Sequence, residues 1–160
     1  MLLSISIEGL ITANIYFSDL KLIIEKVELT DKRLTNYAIP FNDGQLEYIY
    51  RYFLEYFANT IDKSDIYKFI DFGTISDFYR SVYEETIQIP FGSTITYAEL
   101  ARRISKPKAT RAVGQCLSKN KYPLIIPCHR VVGKKDLGGF KYGCELKKIL
   151  LDREKLTYIL

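Results

Sequence analysis

"TYAELARRISKPKATRAVGQCLSKN", residues 96–120, decides how the second half of the chain folds. Thr96 and Glu99 stand three apart at the head of an apolar-periodic run, the spacing of a capping box whose Glu side chain reaches back to the cap N–H. A first helix opens at "TYAELARRI", "SKP" turns the chain, and a second helix, "KATRAVGQCLSKN", presents Ala109, Val113, Cys116 and Leu117 on one side and ends near Asn120. Two short helices joined by a tight turn form a helix-turn-helix. Lys106, Lys108, Arg111 and Lys119 cluster at the turn and along the second helix, where duplex phosphates would meet a recognition element. The small Ala109, Ala112 and Gly114 suit close approach to a groove, and equally suit close packing against another helix.

Downstream, "PLIIPCHRVVG", residues 123–133, reads as a core strand that ends in a thiol, the chain's single histidine and a guanidinium. A free cysteine has a pKa of about 8.5, and only the thiolate attacks, so Cys128 needs a base. In extended chain Cys128 and His129 point to opposite faces, which favours a bridging water over a direct hydrogen bond. The imidazole then needs an acid on its other nitrogen. The closing helix "ELKKILLDREKL" offers Glu145, Asp152 and Glu154, and Glu154 shares a face with Lys147, Leu150 and Leu151. Glu154 is therefore the buried candidate; a surface ion pair with Lys147 or Lys155 is the alternative.

Upstream, Ser76 and Asp77 cap a helix through Tyr83 toward Ile87, which Pro90 and Gly92 stop. Residues 58–74 are polar and lack sustained periodicity, so they read as a linker. The first 30 residues hold β-branched runs broken near Gly9 and around Ser18 and Asp19, which suits short antiparallel strands. After the turn-rich "IPFNDGQ", Leu46, Ile49, Tyr50, Phe53, Leu54 and Phe57 form the apolar stripe of a helix. The expected domains are thus 1–74, α+β with its linker, and 75–160, mostly helical.

At 160 residues and 48% hydrophobic, the chain has material for a packed core in each part. No charge-free apolar stretch approaches the ~20 residues of a membrane span, and "MLLSISIEGL" lacks a signal-peptide pattern, so an intracellular, cytoplasmic protein is expected. Charge divides unevenly. Residues 1–75 hold 7 Lys/Arg against 11 Asp/Glu, whereas residues 76–160 hold 16 against 8. The basic half is suited to a polyanion, and a solvated lysine-rich surface would carry the same charge. Cys116, Cys128 and Cys144 include no CxxC pair, which argues against structural zinc, and a reducing compartment disfavours a Cys116–Cys144 disulfide.

These blocks together resemble the methylated-DNA–protein-cysteine methyltransferases, the O6-alkylguanine-DNA alkyltransferases of direct-reversal repair. "IPFGSTITYAELA" resembles the family's entry into its first motif helix and "RAVGQCLSKN" its DNA-reading helix. "IPCHRVV" is similar to its alkyl-acceptor motif, and "LGGFKYGCELKKILLDRE" to its loop and final helix. The resemblance covers about Phe78 to Glu154. It implies an α/β (α+β) protein, with a ribonuclease H-like N-terminal domain and a winged helix-turn-helix-like C-terminal domain.

The resemblance further implies Cys128 as acceptor thiolate, His129 as water-mediated base, Glu154 as the orienting carboxylate and Asn120 as the tie between motif helix and active-site loop. Tyr97 would assist the departing guanine, and Arg111 would fill the place of the extruded nucleotide. Lys108, Ala112 and Gly114 would meet DNA, while Tyr97, Val131, Phe140 and Lys141 would form the alkylguanine pocket. Lys141 departs from the pattern, since some relatives carry serine there. The implied reaction is a single, irreversible transfer from O6-alkylguanine in double-stranded DNA, and less efficiently from O4-alkylthymine, to Cys128. No cofactor, metal or membrane is expected, and the chain is expected to be a monomer. Three rivals stand beside it: a lesion sensor that flips bases without chemistry, a cysteine hydrolase that regenerates its thiol, and a sequence-specific transcription factor.

Overall fold

The computed structural model describes residues 2–7, 10–18, 22–32, 44–58 and 64–159. The chain divides into two compact units, Met1–Asp71 and Phe72–Leu160.

In the first unit β1 (Leu2–Ile7), β2 (Ile11–Phe17) and β3 (Ile24–Thr30) form an antiparallel sheet in that order. Alternation fixes the register: Leu3, Ile5 and Ile7 are buried while Ser4 and Ser6 between them are half-buried, and Ile5 lies opposite Ala13. Helix α1 (Gly44–Leu54) covers the sheet with Ile49, Tyr52 and Phe53, and the following turn adds Tyr56 and Phe57. The buried stripe is thus rotated from the one expected: Leu46, Tyr50 and Leu54 are half-buried, and two tyrosines take their place. Tyrosine's apolar ring packs in a core as readily as phenylalanine's. The turn expected at 39–45 lies outside the described residues as far as position 43, and Gly44 and Gln45 open α1.

The linker expectation needs a larger correction. Ser64–Phe69 form a 3-10 helix, Ile66 is buried, and Ile70 makes a parallel bridge to Ile24 of β3. Two isoleucines four apart anchor this segment to the first unit, too few to show as periodicity.

In the second unit α2 (Asp77–Ile87) begins at Ser76, whose Oγ accepts the Tyr79 N–H. Strand β4 (Ile95–Thr96) runs straight into α3 (Tyr97–Arg103), and the Thr96 oxygen accepts the Glu99 N–H at 3.1 Å. The capping box is only half made, because the Glu99 carboxylate turns forward to Arg103 at 2.8 Å. The chain then reverses at Ser105, in left-handed conformation (φ 58°), while the Lys106 N–H reaches back to the Ala101 carbonyl at 2.8 Å. Helix α4 (Thr110–Ser118) packs on α3 and α2, with Val113, Cys116 and Leu117 buried. Strand β5 (Val131–Val132) pairs in parallel with β4, and α5 (Cys144–Ile159) closes the unit with Leu146, Leu150 and Leu151 buried.

The run before Cys128 is not a strand. Residues 121–127 form successive turns between Pro123 and Pro127, with Leu124 at φ 72° and the Ile126 N–H bonded to the Tyr122 carbonyl. Proline removes the donors a ladder needs, so this apolar run is buried as irregular chain. Among the described residues no helix is long and apolar enough to cross a membrane.

Candidate active site

Cys128–Arg130 form a single 3-10 turn closed by the Arg130 N–H on the Pro127 carbonyl at 2.9 Å. With three residues per turn, successive side chains fan out about 120° apart rather than alternating. Cys128 therefore faces a cavity while His129 and Arg130 both reach a carboxylate on α5.

The thiol is set by Asn120, which sits buried just beyond α4. Its Nδ2 donates to the Cys128 Sγ at 3.2 Å and to the Ile126 carbonyl at 2.9 Å, and its Oδ1 accepts the Tyr122 N–H at 2.9 Å. One amide side chain thus joins the end of α4 to the turns that carry the sulfur. Burial pushes the Cys128 thiol above its ordinary value; the Asn120 donor and the Lys147 charge pull it back.

On the other side His129 and Glu154 are fully buried, with Nε2 2.7 Å from Oε1. Arg130 grips the same carboxylate through Nε to Oε2 at 2.9 Å and Nη2 to Oε1 at 3.0 Å, and its Nη1 donates to the Ile89 carbonyl at 2.8 Å. The Gly92 N–H adds a bond to Oε2 at 3.2 Å. Burial alone would raise Glu154, but His129 and the Arg130 guanidinium outweigh it and hold the carboxyl well below the usual range. Burial lowers His129, and Arg130 and Lys147 add to that against the pull of Glu154. Burial first, and the Arg130 and Lys147 charges after it, thus disfavour the charged imidazole. Nε2 is engaged by Glu154, and Nδ1, on the other side of the ring, is buried.

Lys147 is a second buried cation. Its Nζ donates to the Val131 carbonyl at 2.6 Å and the Gly139 carbonyl at 3.2 Å, and burial lowers its pKa. The Tyr97 hydroxyl donates to the same Gly139 carbonyl at 3.2 Å, so Lys147 and Tyr97 together fasten the 133–139 loop beside the thiol. Gly138 makes that approach possible: at φ 66° a Cβ there would lie 2.7 Å from the Tyr97 ring.

Cys128, Tyr97, Arg111, Gly114, Phe140 and Lys141 line a common cavity of about 600 Å³ within this unit. Val131 is not among its walls. It is fully buried in β5 opposite Ile95, and only its carbonyl serves the site, through Lys147. Arg111 and Lys108 are exposed. Gly114 faces Tyr97, where a Cβ would come 3.8 Å from the ring, whereas Ala112 is exposed. Cys144 is exposed, with its thiol 3.6 Å from the Gly138 carbonyl, and all three cysteines are free. Sequence reasoning missed Arg130 and Lys147 as parts of the site. An arginine directly after Cys-His and a lysine seven before Glu154 on its leucine face were the available signals.

A family model described as the 6-O-methylguanine DNA methyltransferase, DNA binding domain, matches residues 77–156. The chain is 45% identical over 104 residues to the methylated-DNA–protein-cysteine methyltransferase of Methanocaldococcus vulcanius, covering 63% of this chain but only 62% of that protein, less than two thirds of its length. It is 37% identical over 146 residues to the protein of the same name from Kluyveromyces lactis, covering 86% of this chain and 77% of the relative. Mycobacterium tuberculosis OGT, solved in complex with DNA, matches with a TM-score of 0.71 at 25% identity, covering 98% of this chain and 93% of that one. A family match over the half of the chain that holds Cys128, His129 and Glu154, together with an alignment reaching most of the K. lactis relative, places this chain in the methylated-DNA–protein-cysteine methyltransferase family.

Proposed function

We propose that the chain repairs O6-alkylguanine in double-stranded DNA, and less efficiently O4-alkylthymine, by moving the alkyl group once and irreversibly to Cys128. The observation that carries this reading is a thiol facing a cavity with a neutral amide donor on one side and a buried His–Glu–Arg cluster on the other. The names of the relatives and the DNA-bound M. tuberculosis neighbour support the same activity and partner.

The damaged nucleotide must leave the stack to reach Cys128, at a cost of a few kcal/mol, and Arg111, exposed in the first turn of α4, takes its place. Lys108, Ala112 and Gly114 position that helix on the duplex. His129 accepts the thiol proton at Nδ1 through a bridging water while Glu154 fixes the tautomer. The sulfur attacks the alkyl carbon, a C–S bond forms, and the C–O6 pair returns to the guanine. Tyr97 exchanges its bond to Gly139 for one to the base and supplies a donor to the developing anion. Phe140 and Lys141 flank the base. The thioether is too stable to hydrolyse, so one chain acts once. Consistent with this reading, the first unit is taken as ribonuclease H-like, the second as a winged helix-turn-helix, and the protein as a cytoplasmic monomer without metal or cofactor.

The test is stoichiometry. With methylated duplex in tenfold excess, loss of methyl from DNA is expected to stop at one equivalent per chain; continued turnover would remove the suicide reading and favour a hydrolase.

A further inference from the structure

The cavity beside Cys128 carries a charge that repair of a methyl group does not require. Two cations, Arg111 and Lys141, are among its walls, and no Asp or Glu is. Asp136 accepts the Gly138 N–H at 2.8 Å and Glu154 is held by His129 and Arg130, while Glu145, four residues beyond Lys141 in the first turn of α5, is exposed and not among the walls. Lys141 is exposed, its Nζ standing over the Tyr142 ring at 5.5 Å, and it enters no ion pair among the described residues. Its charge also reaches the Cys128 sulfur, since it is one of the influences that draw the thiol down. A site of about 600 Å³ has room for a base and a substituent larger than methyl.

We propose that Lys141 selects anionic O6 substituents, so that this chain accepts carboxyalkyl adducts such as O6-carboxymethylguanine in preference to neutral groups of the same size. The inference rests on the reading that Cys128 is the alkyl acceptor. With Arg111 committed to the base stack, Lys141 is the cavity cation left to face the group being transferred. The carboxymethyl carbon lies between O6 and the sulfur, and its carboxylate, one bond farther out, meets the ammonium. In the step itself the sulfur bonds that carbon, the C–O6 bond breaks with its electron pair on oxygen, and the thiol proton passes to the guanine by way of His129. The products are S-carboxymethylcysteine and guanine, with no further reactant needed.

A phosphate beside the flipped nucleotide is the other anion Lys141 could meet, and free bases separate the two. Transfer rates from O6-carboxymethylguanine and from its neutral isostere O6-carbamoylmethylguanine are measured as free bases and within a duplex, for the full chain and for Lys141→Ser and Lys141→Glu. The ratio of the two rates cancels any loss common to both substrates. With free bases, Lys141→Ser is expected to lower the carboxymethyl to carbamoylmethyl ratio by about three- to fivefold, the size of an exposed ion pair, and Lys141→Glu by about tenfold or more. Equal ratios in all three proteins would overturn the proposal, as would a change seen in duplex DNA alone, which would assign Lys141 to a phosphate. Transfer from O6-methylguanine duplex is run alongside: if it proceeds while the ratios stay equal, only the selectivity fails, and if it too is absent, the acceptor reading fails with it.

Discussion

Cys116 and Cys128 are both buried free thiols of the same unit, yet their surroundings prepare them for opposite fates. Cys116 lies on the inner side of α4, packed with Val113 and Leu117, and burial pushes its thiol up to about 12. Cys128 is buried too, but it faces the cavity, accepts an N–H from Asn120 and lies within reach of two lysine charges. Burial alone makes an inert cysteine. Cys116 has a donor of its own in the Tyr83 side chain and a charge in Lys119, so what sets Cys128 apart is the cavity that opens onto its sulfur.

The largest expected difference follows directly. Cys128→Ser abolishes transfer, whereas Cys116→Ala keeps the rate and loses stability on the order of 1 kcal/mol, read by denaturant melts. If Cys116→Ala also abolished transfer, the contrast between the two thiols would be wrong.

Arg130→Met tests the cluster that the Cys128 turn aims at Glu154. The pair is almost fully buried, so removing the guanidinium strands a charge and is expected to cost about 3–5 kcal/mol, much of it recovered when Glu154→Gln is added. The same cluster sets the acid limb of stability. The folded pKa of Glu154 is depressed, so its contribution is complete above the unfolded value of about 4.3 and is lost as pH falls below it. His129 is also depressed, and its contribution is complete above about 6.5 and falls away on acidification from there. Urea melts between pH 3 and 8 check this: Glu154→Gln should flatten the lower part of the profile, and an unchanged profile would place the acid sensitivity elsewhere.

Asn120→Ala removes the donor at the Cys128 sulfur. Loss of a hydrogen bond to the thiolate is expected to slow transfer by about 10- to 100-fold and to shift the pH dependence of thiol alkylation upward. Smaller still is the effect of Arg111→Ala, which should impair repair of duplex DNA by about tenfold while leaving transfer from free O6-benzylguanine close to normal, because a free base needs no extrusion. Equal losses on both substrates would make Arg111 a support of the cavity wall.

Legibility in the sequence follows locality. The antiparallel strands, the Ser76 cap and both helices of 96–120 were readable because each is specified within a few residues. The pairing of His129 with Glu154 was readable through a contiguous motif and a leucine-flanked acid. Arg130 and Lys147 were not, since a cation becomes part of a core only when distant elements bring it a carboxylate or carbonyls, here Glu154, Ile89, Val131 and Gly139. The same limit explains Val131, which stands near the acceptor in sequence but points into the β4–β5 core, and Ile66 and Ile70, whose anchoring depends on the first unit's packing.

The most direct test compares the thiols in one sample. The chain is incubated with excess duplex containing O6-methylguanine, weighed intact, then digested and its cysteine peptides mapped. The account predicts a single added methyl group, wholly on Cys128, with Cys116 and Cys144 unmodified. Methyl on either of those two, or a fully demethylated duplex with Cys128 unaltered, would contradict it.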